Sequence, residues 1–161
     1  MLQLSYTQTP TPMHLLIDKI TRLEIDWNRR PLTEADFYRL CRKHKVTVEE
    51  IPLRVSGFYY SVLGRHCIAI DSRLSRQKKL LVMFHEFAHF LLHAPEGGAT
   101  ANYHGVGKRT RKELEADVFA LCAVIPRSWI NSAHFCEYVD ENAIEAEMVS
   151  ERLRIFERFG V

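Results

Sequence analysis

Between Leu80 and His93 the chain reads Leu-Leu-Val-Met-Phe-His-Glu-Phe-Ala-His-Phe-Leu-Leu-His. Within it, His85-Glu86-x-x-His89 is a spacing that places two imidazoles and a carboxylate where a metal ion and a general base can work together. The stretch has neither Gly nor Pro and is rich in Leu, Met, Phe and Ala, so it is expected to be helical. At about 100° per residue, His85, Glu86, His89 and His93 fall in roughly one quadrant. Apolar side chains cover nearly all the remaining circumference, as in a helix buried in a core. A polar stripe in such a place has to be satisfied by something.

A zinc ion would satisfy it. His85 and His89 are one turn apart and can both reach one cation at about 2.0–2.1 Å. Glu86 is rotated off that pair, placed to take a proton from a water rather than to bind the metal. His93 lies one turn further on. It either supports the ligands from outside or is an ordinary histidine where the helix leaves the core.

A catalytic zinc usually has three protein ligands, so one more must come from elsewhere. Thr110 is expected to cap a second helix, Arg111–Ile125, which Pro126 follows. Glu113 and Asp117 share one face of it, and Ala116 and Ala120 beside them let another helix come close. Glu115 points roughly 160° away from both. Glu113 is therefore the expected third ligand, with Glu115 the alternative. Asp117 can accept a hydrogen bond from a ligand imidazole and fix its tautomer. A solvated acidic face would suit Arg111-Lys112 but not the apolar run from Val118 to Val124.

Other elements must hold these residues in place. With 161 residues, 47% of them hydrophobic, the chain suits one globular domain with a core. A loose lead-in over residues 1–11 is expected to precede a single domain over 12–161. Pro12 opens a helix patterned by Met13, Leu16, Ile17, Ile20 and Leu23. Thr33 caps another over Glu34–His44, burying Phe37, Leu40 and Cys41. Val46–Ile51 is extended. Strand-like runs on either side of Leu63-Gly64-Arg65 make a hairpin over about 53–70. The fold expected is α+β: mainly helical, with a small antiparallel sheet beside the His-Glu-x-x-His helix.

Ala94–Arg109 carries Pro95, Gly97, Gly98, Gly105 and Gly107 and reads as a loop that shapes a cleft. Tyr103 and His104 are its candidates for stabilising an oxyanion. Arg127–Ala133 reads as a short helix. Asp140 is expected to cap one running through Glu147, and Val149–Phe159 is the last, stopped by Gly160.

Net charge is +2, too balanced to argue for nucleic acid. Cys41, Cys67, Cys122 and Cys136 form no Cys-x-x-Cys pair and read as reduced thiols of a cytoplasmic protein. No signal peptide is visible at Met1–Tyr6, and the longest apolar stretch is broken by the His/Glu stripe, so no membrane span is expected.

Taken jointly, Asp71 after a strand, His85 to His93, Glu113-Leu114-Glu115-Ala116-Asp117-Val118-Phe119-Ala120 and Ile125-Pro126-Arg127-Ser128-Trp129 resemble the ImmA/IrrE family of zinc metallopeptidases. The resemblance spans about residues 33–159, with its specific motifs in 80–129. It implies a compact α+β domain with thermolysin-like zinc ligation. His85, His89 and Glu113 would be the ligands and Glu86 the general base. It also implies cleavage of a helix-turn-helix repressor, releasing genes for stress response or mobile-element transfer. Two rivals are a zinc-containing module that sequesters a repressor without cutting it, and a structural zinc fold in a toxin–antitoxin or phage assembly. An intact Glu86 favours the enzyme, since a structural site has no use for a base. A free edge of the hairpin is the expected place for an extended peptide to add as a strand.

Overall fold

A computed structural model describes residues 12–94, 101–103 and 110–161. Its elements are α1 (Pro12–Thr21), α2 (Glu34–Lys43), β1 (Val46–Ile51), β2 (Gly57–Val62), β3 (Arg65–Asp71), α3 (Arg76–His93), β4 (Ala101–Tyr103), α4 (Arg111–Val124), α5 (Arg127–Ile130), α6 (Phe135–Glu141) and α7 (Ala146–Phe159). The expected lead-in and His104 lie outside the described residues.

Helix α3 is the centre of the molecule. Every residue from Val82 to His89 is buried. Phe84 and Phe87 both pack on Phe119 of α4, and Phe84 meets Phe37 of α2 edge to face. Each such ring, fully buried, contributes about 1.5–3 kcal/mol relative to exposure. Ala116 and Ala120 are fully buried, so α4 presents small side chains in the region where it lies against α3. Trp27 stacks on Phe119, and its Nε1 donates to the Phe119 carbonyl at 2.9 Å, fastening the chain after α1 to α4. Thr33 caps α2 reciprocally with Asp36: its Oγ1 accepts from the Asp36 N–H and its own N–H donates to Asp36 Oδ2.

The fold is mainly helical with a small sheet, and the β2–β3 hairpin is antiparallel. Its turn places Leu63 at φ +50° and Gly64 at φ +74°, the two positive values a type I′ turn requires. The sheet is wider than the hairpin, in the order β1-β3-β2-β4. β1 runs parallel to β3, which makes the sheet mixed. A parallel neighbour is possible over so short a distance because β2 itself makes the return trip. The chain leaving β1 crosses the end of β3, where the Leu53 N–H donates to Asp71 Oδ1 at 3.2 Å.

Two further expectations change. The glycine-bearing segment after α3 contains β4, which pairs with Phe58–Tyr60. The hairpin's two outer edges are therefore occupied, by β1 and by β4, and no peptide can add to them there. The helix capped at Asp140 does not form: Asp140 lies inside α6. The chain breaks at Asn142 and Ala143, where Asn142 Nδ2 donates to the Tyr138 carbonyl and Ala143 takes φ +50°, and α7 starts only after Glu145. Among the described residues no helix is long and apolar enough to cross a membrane.

Candidate metal centre

Sequence dictates the site's frame. α3 must be helical and buried, so its polar stripe faces inward onto whatever α4 presents. Thr110 Oγ1 accepts from the Glu113 N–H at 3.2 Å, which fixes the first turn of α4 and aims Glu113 at that stripe.

His85, His89 and Glu113 converge, with one ligand atom from each lying within 4.8 Å of the others. His85 Nε2 is 3.1 Å from His89 Nε2 and 3.2 Å from Glu113 Oε2, and His89 Nε2 is 3.1 Å from Glu113 Oε1. Ligand atoms bound tetrahedrally at zinc distances stand about 3.3 Å apart. Two nitrogens and a carboxylate oxygen at nearly that spacing can hold such an ion with little movement. His85 is 1% exposed and Glu113 side chain 27% exposed, so the triad is closed on the helix side and open beyond the carboxylate.

Glu86 is fully buried, and among the described residues neither of its carboxylate oxygens makes a well-formed hydrogen bond, the Tyr59 backbone offering only a weak one. Buried polar atoms are nearly always paired, so the place is shaped for something besides protein. Burial lifts the Glu86 carboxyl to about 8, against the opposing pull of His85. At His85 burial works against the charged ring, but Asp117 and Glu113 outweigh it and lift the imidazole to about 9. Glu113 is held well below the usual carboxylate range by its contacts with His85 and His89. The protein without metal thus keeps positive charge where a cation would stand. A cation held by His85, His89 and Glu113 would take the place of that proton and would favour the ionised form of Glu86.

Each residue expected at the site has a definite place. Asp117 Oδ1 is 2.9 Å from His85 Nδ1, where it helps to raise the pKa of the imidazole. His93 lies outside the triad, its Nδ1 3.1 Å from His89 Nδ1. Glu115, the alternative ligand, is not at the triad. Its Oε2 is 2.9 Å from His93 Nε2. A helical wheel turns it away from Glu113, yet its side chain reaches the last turn of α3, which no pattern within α4 reveals. Tyr103 is in β4 opposite Phe58. His66 is half-buried with Nδ1 2.8 Å from the Tyr59 hydroxyl.

No curated protein and no solved structure matches the chain. A family model does: the IrrE N-terminal-like domain, Peptidase_M78, matches residues 41–161, which include the whole of α3 and α4. With most of its length matched and the triad inside the match, the chain belongs to the IrrE N-terminal-like peptidase family.

Proposed function

We propose that the chain is a zinc-dependent endopeptidase that cuts a helix-turn-helix transcriptional repressor at one site, in an exposed or extended segment. Cleavage would relieve repression of stress-response or mobile-element genes in the cytoplasm. The observation that carries the peptidase reading is the pairing of the His85–His89–Glu113 triad with a fully buried Glu86 that makes no well-formed hydrogen bond among the described residues. A purely structural site would not keep a carboxylate idle in the core. The choice of repressor as substrate is supported by the family resemblance and by a near-neutral net charge, which suits action on transcription through a protein partner.

His85 and His89 would hold the ion through Nε2 and Glu113 through its carboxylate, a donor set that suits zinc. Zinc in this position supplies Lewis acidity, lowering the pKa of a water towards neutrality and polarising the scissile carbonyl. The chain's own groups do the rest. Glu86 accepts the proton of the attacking water and delivers it to the departing amine. Asp117 holds His85 by its far nitrogen so that Nε2 faces the ion. With the hairpin edges covered, the outer edge on the β4 side is the place for an extended substrate to pair.

The test is incubation of purified protein with a repressor encoded beside it, with and without chelator. One metal-dependent cut is expected. Rapid degradation of unfolded casein at many sites would sink the regulatory reading and leave the metal site standing.

A further inference from the structure

The contact between His89 and His93 does not end at His93. His89 Nδ1 is 3.1 Å from His93 Nδ1, His93 Nε2 is 2.9 Å from Glu115 Oε2, and Arg111 Nε donates to Glu115 Oε1 at 2.8 Å. The row runs from the triad to the first turn of α4. His93 is 5% exposed and Glu115 15% in their side chains, so little water can substitute for these partners.

Such a row admits few placements of its protons. An ionised Glu115, already paired with Arg111, only accepts, so the proton between it and His93 sits on His93 Nε2. At the other end, His89 can give Nε2 to a metal only as a neutral ring that keeps its proton on Nδ1. That proton points at His93 Nδ1, which must then be a lone pair. The two ends therefore require the same thing of His93: a neutral ring, protonated on Nε2 alone. His85 needs no such intermediary, because Asp117 stands directly at its Nδ1. The direct place beside His89 is taken by a second histidine, and the carboxylate stands one ring further out.

We propose that Glu115 is a positioning residue for metal binding: acting through His93, it holds His89 in the tautomer that offers its Nε2 lone pair to the ion. This rests on the metal reading of the triad. Glu115 does not touch the ion, and His93 transmits its effect.

The experiment measures zinc affinity by competition with a chelating dye for the wild type, Glu115→Ala, Glu115→Gln, His93→Phe and the double variant Glu115→Ala/His93→Phe, with circular dichroism as the check on folding. Glu115→Ala is expected to weaken binding about tenfold to a hundredfold. Glu115→Gln should restore most of it, because an amide oxygen still accepts from His93 Nε2. In the His93→Phe background, Glu115→Ala should cost nothing further, since the link is already cut. Nitrogen-15 spectra of the zinc-loaded wild type should show His93 protonated on Nε2 and bare on Nδ1. If Glu115→Ala binds zinc as the wild type does, or adds its full loss in the His93→Phe background, the relay is wrong. Abolished binding that Gln does not restore would make Glu115 a ligand instead and also overturn it. If the wild type binds no zinc, the metal reading itself fails, a result distinct from any difference among the variants. Should Glu115→Ala not fold, the Gln and His93→Phe variants and the spectra still decide.

Discussion

Gly57 opens β2 at a point where no side chain fits. A Cβ built there would stand 2.7 Å from Val82 Cγ1 and 2.9 Å from the Ala69 carbonyl oxygen. Ordinary Cβ contacts begin at 3.4 Å, so in Gly57→Ala the strand must part from α3 by about 0.7 Å and from β3 by about 0.5 Å. Neither neighbour gives way easily: Val82 is a β-branched residue held to one rotamer in a helix, and the other atom is backbone of a central strand. Overpacking by one methyl group costs about 1–3 kcal/mol. Alanine also narrows the unfolded ensemble, which offsets about 0.4–1 kcal/mol. The net is about 1–2 kcal/mol of destabilisation, and at about 2–4 °C per kcal/mol for a chain of this size the Tm should fall by about 2–8 °C. The displacement also reaches the site, because Val82 is one turn before Glu86 on the same helix. Misplacement by 1 Å can cost a hundredfold in rate, so the folded, zinc-loaded variant should turn over about tenfold more slowly. Thermal melts and cleavage rates taken well below both melting points measure the two effects. Gly64→Ala is the control. Gly64 has φ +74° and open space around it, so alanine there strains the backbone by about 1–2 kcal/mol and leaves turnover unchanged. A Gly57→Ala protein that melts at or above the wild-type temperature would refute the steric reasoning.

Glu86→Gln should keep fold and zinc but lose cleavage, because the base is gone and the ligands remain; a near wild-type rate rules Glu86 out as the base. Glu113→Ala should lower zinc affinity much more than Glu115→Ala, and metal content of the two variants, the larger loss falling on Glu115, would reverse the assignment. Asp36 is held at about 2 chiefly by Arg30, whose Nη1 donates to Oδ2 at 2.8 Å, with burial opposing and the Thr33 N–H assisting. Its folded value is depressed, so its stabilisation is present above about pH 4 and is lost as pH falls towards 2. Arg30 is 42% exposed, so the contribution is discounted to about 1–2 kcal/mol. Asp36→Asn should lose about that much at neutral pH in urea titrations and decline less between pH 4 and 2; a decline parallel to the wild type would remove Asp36 as the cause.

What could be read before folding was what is local. The helical face of His85, Glu86 and His89, the Thr33 and Thr110 caps, and the common face of Glu113 and Asp117 all follow from periodicity and capping within one element. What could not be read depends on which elements meet. β1 alone gives no sign of being parallel, since its direction is set by the chain crossing the end of β3 near Asp71. β4 is three residues in a glycine-bearing stretch and exists because Phe58–Tyr60 offers it a partner. The break between α6 and α7 rests on Ala143 at φ +50°, a conformation alanine does not advertise. Arg152 shows the same limit. Its pattern on α7 is unremarked, yet it is fully buried and donates to the Ile125 and Val161 carbonyls and to Asn28 Oδ1.

The site sets stability against chemistry. An apolar side chain at Glu86 would bury as well as Phe84 and Phe87 do, whereas a buried carboxyl without well-formed hydrogen bonds costs about 1–3 kcal/mol. A helix that is otherwise nearly all core therefore carries its penalty at a single position. The three groups around that position are partly satisfied by one another: His85 shares its charge with Glu113 and Asp117, and Glu113 spans both histidines. Among the described residues, Glu86 has no such well-formed contact for either oxygen. A protein selected only to fold would have removed that carboxylate, and one that merely bound an ion through the triad would have had no reason to keep it. Retention makes sense if the group must remain unpaired, ready to accept a proton when a water arrives beside the ion. The same low-dielectric surroundings that make Glu86 costly raise its affinity for a proton, so the source of the instability also suits the residue to the role of base proposed for it.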